Sequence, residues 1–237
     1  MMNVAKSLVC SLAVAGLMSA SASAATFTVG QSTDAWLGYM NVSNLPAPDG
    51  DGAYQFGGPW GPADLVSTFD DGAGTVTLSP NTIGDPNEYW YQDTCGCAAD
   101  PANPGGPGQA GNKIMDASLY IEVSDDALAG TNINFSGNVL SNSFTAAHES
   151  FIYIRDFAPD YSSSNVTIIP MVPGPFSIDL LADPGLGRHI QYGFQTTGVN
   201  VWAGDEGPFG SAVIETVPEP ASLALLGLGG LAMLRRK

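Results

Sequence analysis

Apolar residues in the middle of this chain recur with a period of two. Leu119, Ile121 and Val123 alternate with Tyr120 and Glu122, and Ile133, Phe135 and Val139 alternate with Asn134, Ser136 and Asn138. Phe176, Ile178 and Leu180 enclose Ser177 and Asp179, while Ile190, Tyr192 and Phe194 interleave with His189, Gln191 and Gln195. A buried helix face needs apolar residues three to four positions apart, so this spacing specifies strands with one buried and one solvated face. No stretch between the two ends sustains a helical stripe; Asp125-Asp126-Ala127-Leu128-Ala129 allows a single turn. Gly, Pro, Asn, Asp and Ser interrupt the runs at intervals of roughly 8–15 residues, the spacing of a sandwich or barrel. The expected fold is all-β: an antiparallel β-sandwich, jelly-roll-like. Two segments, Leu45 to Pro62 and Cys95 to Asn112, are so dense in Pro and Gly that both read as long surface loops.

Charge divides the chain into three. All 23 acidic residues fall between Asp34 and Glu219, where Lys113, Arg155 and Arg188 are the only Lys or Arg, a balance of −20. The other basic residues, Lys6, Arg235, Arg236 and Lys237, sit at the two ends. Phosphate recognition needs clustered Lys and Arg, so nucleic-acid binding through a basic patch is excluded.

The N-terminal end reads as a secretory signal helix over residues 1–24. Lys6 supplies the positive start and Ser7 to Met18 the apolar stretch. Ala22-Ser23-Ala24 forms a small-x-small site at which signal peptidase would leave Ala25 as the first residue. The C-terminal end, residues 217–237, has three parts. Val217-Pro218-Glu219-Pro220 is followed by an apolar run from Ala221 to Leu234, and Arg235-Arg236-Lys237 closes the chain. Fourteen residues are short for a span, since a ~30 Å hydrocarbon core asks for about 20.

That order of Pro-Glu-Pro, short Gly- and Leu-rich helix and closing basic cluster resembles the PEP-CTERM sorting signal of exported bacterial proteins. The resemblance implies recognition by an exosortase, cleavage near Pro218-Glu219-Pro220, and delivery to the cell surface or extracellular matrix. It also implies a transient inner-membrane stage through the C-terminal helix, in bacteria that make exopolysaccharide. The domain left between the two signals is expected at residues 25–216.

Within that domain, catalytic signals are sparse. His148 and His189 are the only histidines, and no His-x-x-x-His, no Gly-x-Ser-x-Gly and no phosphate loop ending in Lys-Ser/Thr occurs. His148-Glu149 reads as a polar loop ahead of a strand, and the carboxylates read as surface solvation. Cys95-Gly96-Cys97 in an exported chain suggests a small, strained disulfide, with free thiols or a two-ligand metal site as the other readings. Asp49-Gly50-Asp51-Gly52 and Asp70-Asp71-Gly72 put hard oxygen ligands on tight turns, which suits structural calcium and equally suits ordinary hairpins.

Sugars bind by laying their C–H faces on aromatic planes while amides and carboxylates fix the hydroxyls. Tyr120, Glu122, Asn134, Asn138, Gln191, Gln195 and Trp202 have that composition and fall on expected outward positions; Trp36 is assigned to the core. The stretch from Phe135 through Glu206, with Ser150 to Arg155 and Gln191 to Gly198, resembles jelly-roll carbohydrate-binding modules in layout, which implies exopolysaccharide binding. The expected function is a non-catalytic surface or matrix protein that binds glycan weakly. A purely structural or adhesive role is the second reading, and a polysaccharide-acting enzyme the third.

Overall fold

The computed structural model describes residues 24–92 and 105–217. The expected signal helix and C-terminal apolar helix lie outside these residues, as do Cys95 and Cys97. Twelve strands run in chain order: β1 (Ala25–Thr28), β2 (Trp36–Asn44), β3 (Tyr54–Trp60), β4 (Ser67–Asp70), β5 (Thr75–Leu78), β6 (Lys113–Val123), β7 (Asn132–Asn142), β8 (His148–Phe157), β9 (Ser164–Pro170), β10 (Gly174–Leu181), β11 (His189–Val199) and β12 (Ala212–Glu215). They build two six-stranded sheets that pack face to face as a sandwich. The first has the order β3-β2-β6-β11-β8-β9, with every neighbour antiparallel.

The second sheet is organised around β7. Ile133 and Ser136 each pair with both β1 and β10, so those two strands lie on opposite edges of β7. Val139 likewise pairs with both Gly174 and Ile214, which puts β12 on the β1 side. From there the sheet continues through β5 to β4. The β1–β7 pair is parallel, a departure from the all-antiparallel expectation, because β1 fills the half of the β7 edge that the antiparallel β12 leaves open.

Alternation decides which side chains form the interface between the sheets. Phe135 is fully buried among Phe176, Tyr192 and Phe194, with ring centroids 5.1–5.8 Å away. Met40, Met115, Ile152, Ile154 and Ile214 fill the space around it. Burying each such side chain contributes about 1.5–3 kcal/mol. Trp36 is buried as expected.

The reading of Leu45 to Pro62 as one long loop is corrected: Tyr54–Trp60 forms β3. Pro59 pairs with Tyr39 there, and β3 is the edge of its sheet. An edge strand has a side without ladder partners, so the missing proline N–H costs nothing on that side.

At the far end of β8, a fully buried carboxylate anchors the β10–β11 connection. Asp156 accepts from Arg188 Nε at 2.6 Å and from the Asp183 backbone N–H at 2.8 Å, while its own carbonyl accepts from Arg188 Nη2 at 3.0 Å.

Candidate functional site

The outward face of the β3-β2-β6-β11-β8-β9 sheet carries a cleft of about 590 Å³, within the ~300–1,000 Å³ range of small-molecule sites. The register assembles it row by row. Leu37 of β2 opposes Tyr120 of β6, which opposes Gly193 of β11, which opposes Tyr153 of β8. Tyr39, Ser118 and Gln195 form the next row, and Glu122, Gln191 and Arg155 the row on the other side.

Gly193 is the gap in this face. A Cβ there would stand 2.1 Å from the Leu119 carbonyl oxygen, so the position has no room for any side chain. The Arg155 side chain reaches past that gap to the row beyond. Its Nη1 donates to Ser118 Oγ at 3.2 Å and its Nη2 to Gln195 Oε1 at 2.5 Å. Its guanidinium carbon lies 4.0 Å from the ring centroid of Tyr153, which it helps to bury completely. Asp116 accepts from Thr197 Oγ1 at 3.2 Å. Burial holds the Asp116 carboxyl above the ordinary carboxylate range, and the Arg155 charge works against that shift.

A network fixes one end of the cleft. Glu122 accepts from the Tyr161 hydroxyl at 2.9 Å and from Gln191 Nε2 at 2.8 Å, and lies 3.3 Å from His189 Nδ1. The Tyr161 ring stacks on the His189 imidazole at 4.3 Å. Tyr161 lies in the β8–β9 connection with φ at 57°, a left-handed conformation that bulky residues rarely adopt. Desolvation, reinforced by the bond to Glu122, pushes its phenol up to about 12, so it stays protonated and donates at neutral pH.

Four of the seven expected glycan-contact residues, Tyr120, Glu122, Gln191 and Gln195, therefore meet on this face. Tyr120 is only 9% exposed and forms the floor; the exposed aromatics on the rim are Tyr39 at 37% and Tyr161 at 48%. The other three lie elsewhere. Asn134 and Asn138 point outward from the opposite sheet, where they bond to Ser177, Asp179 and Glu215. Trp202 belongs to no strand face and packs on Tyr91 at 5.6 Å against the core. Sequence reasoning missed Tyr39, whose outward position follows from alternation with Trp36 and Met40. It also missed Tyr161, for which no periodic signal exists.

The remaining candidates are placed as follows. Asp51 accepts from Asn44 and Ala53, Asp70 from Ala73, and Asp71 from Ser32, while Asp49 lies in the same β2–β3 loop as Asp51. The bonds from Ala53 and Ala73 are those of tight turns, while Ser32 reaches Asp71 from a distant loop; no group of three or more His, Cys, Asp or Glu able to hold a metal occurs among the described residues. His148 is buried, with Nε2 3.0 Å from the Val199 carbonyl oxygen. Ala25 opens β1. Ala22, Cys95, Cys97, Pro218, Glu219, Pro220, Arg235, Arg236 and Lys237 lie outside the described residues.

Residues 216–237 match the family model of the PEP-CTERM protein-sorting motif. No curated protein and no solved structure matches the chain. The motif marks an exported protein processed by exosortase, at the cell envelope or surface. Its first two residues, Thr216 and Val217, are still woven into the sandwich through hydrogen bonds to Gly74 and Val29.

Proposed function

We propose that this exported protein is a non-catalytic component of the cell surface or extracellular matrix that binds exopolysaccharide through the outward cleft of the β3-β2-β6-β11-β8-β9 sheet. One observation carries the reading: exposed tyrosines on the rim and planar hydrogen-bonding side chains on the floor meet on a single strand face. Tyr39 and Tyr161 offer flat apolar surface to the C–H face of a sugar ring. Asn41 of β2, which also lines the cleft, joins Gln191, Gln195 and Arg155 in offering in-plane donors and acceptors to its hydroxyls. Few such contacts on an open strand face correspond to weak binding per sugar, strengthened on a polymer by repetition.

The same end of the cleft holds a His–carboxylate pair, which is what an acid/base enzyme would need. His189 Nδ1 faces both Ser124 Oγ at 2.8 Å and Glu122, and Nε2 faces the Pro159 carbonyl at 3.4 Å. With both nitrogens committed to neighbouring loops, the imidazole supports Tyr161 rather than presenting a free base, and this favours binding over catalysis.

A polysaccharide pull-down with the Ala25–Val217 domain, run with and without calcium, tests the reading. Retention by a subset of polysaccharides, unchanged by chelation, is expected, because the Asp49–Asp51 and Asp70–Asp71 turns lie on other loops. Release of intact polymer is expected, with no shortening. Failure to retain any polysaccharide would leave the structural or adhesive role standing instead.

A further inference from the structure

Three Lys and Arg side chains serve the described domain, and they are not equally occupied. Arg188 is spent on Asp156 at 2.6 Å, with Asp183 at 3.9 Å. Lys113 is nearly buried, its ammonium 4.3 Å from the Tyr89 ring centroid and 3.3 Å from the Asn112 carbonyl oxygen. Arg155 alone faces the cleft, and among the described residues no carboxylate lies within ion-pair distance of it. Its two side-chain bonds go to neutral oxygens, those of Ser118 and Gln195.

A half-buried guanidinium without a directly bonded counter-ion is costly unless something supplies the charge. Asp116 acts on Arg155 only through space, its hydrogen bond coming from Thr197, and Glu122 takes its bonds from Tyr161 and Gln191. The ring of Tyr153 beneath the guanidinium and the two bonds at Nη1 and Nη2 fix its plane, while Nε and the second N–H of each terminal nitrogen have no described partner. That leaves donors arranged in the planar fork that matches a carboxylate.

We infer that Arg155 is the anion-recognition point of the cleft and that the glycan it takes is acidic, a polysaccharide carrying hexuronate carboxylates. The inference rests on the glycan reading above. One carboxylate would sit on Arg155 while the pyranose ring lies against the tyrosine rim. Glu122, in the same row and two strands away, would repel a carboxylate placed there, so the cleft admits one anionic group and fixes where it goes. The acidic surface of the domain does not forbid this, because charges separated by more than ~8 Å are largely screened at physiological salt.

Titration calorimetry on the mature exported protein tests it with matched pairs that differ only in charge. The probes are oligomers of galacturonate, glucuronate and mannuronate, each with its methyl ester. At least one acid form is expected to bind about tenfold or more tightly than its ester. Arg155→Gln should bring that acid down to the level of the ester, and Arg155→Lys, which keeps the charge but loses the fork, should recover only part of the difference. Thermal melts of both variants show whether they fold, and the acid–ester comparison on the unaltered protein decides the matter if they do not. An ester that binds as well as its acid would overturn the acidic-ligand inference while leaving glycan binding intact. If none of the six oligomers binds, this inference falls together with the reading on which it rests.

Discussion

Asp156 is fully buried, and its anionic charge is balanced by a single cation, Arg188. Removing that cation leaves an uncompensated charge in the interior. Arg188→Met is therefore expected to cost about 3–5 kcal/mol, read as a lower urea midpoint at unchanged slope. The double variant with Asp156→Asn should recover part of the loss. His148 makes the complementary case. Burial between Phe144 and Phe209 holds its imidazole below the ordinary 6.5, so the folded protein resists a proton that the unfolded chain accepts. Its contribution to stability is complete above 6.5 and declines as the pH falls below that value. A urea midpoint that declines with acid over this window in the wild type, and declines less in His148→Phe, is the expected pair of curves.

Element by element, the sandwich was readable where strands are long and one-sided. β6, β7, β10 and β11 each show their alternation over several residues; burial follows it in β7 and β10, whereas in β6 and β11 the outward residues Tyr120 and Gln191 are buried as well, beneath the cleft. β4, β5 and β12 are only four residues long, too short for a period to register. β3 was hidden by its Gly57-Gly58-Pro59, which reads as loop chemistry until the strand is known to be an edge. The short β12 extends its hold past its last ladder residue, through Thr216 N–H to the Gly74 carbonyl at 2.8 Å and Val217 N–H to the Val29 carbonyl at 2.7 Å. Each such bond contributes about 0.5–1.5 kcal/mol. A domain ending at Glu215 should therefore melt several degrees below one ending at Val217; equal melting temperatures would show that these bonds carry no weight. The sorting motif thus begins inside the folded unit, without a spacer.

At the scale of the whole molecule, function is divided between segments. The C-terminal end carries the sorting motif, legible because it depends on a short contiguous order of residue types. The cleft is assembled from β2, β6, β8, β11 and the β8–β9 connection, up to 154 positions apart from Leu37 to Gln191. Alternation put Tyr120, Glu122, Gln191 and Gln195 on an outward face, but the same rule offered Asn134 and Asn138, because a period of two gives faces and not strand order. Tyr161 depended on a loop conformation that leaves no trace in spacing. What unites these segments is the claim that one sheet face binds glycan and the other does not. The direct measurement compares binding of the host's own exopolysaccharide to the wild type, to Tyr39→Ala/Tyr161→Ala on the cleft rim, and to Asn134→Ala/Asn138→Ala on the opposite sheet. A loss of tenfold or more in the tyrosine variant, with wild-type affinity in the asparagine variant, is the predicted result. Undiminished binding in the tyrosine variant would contradict it.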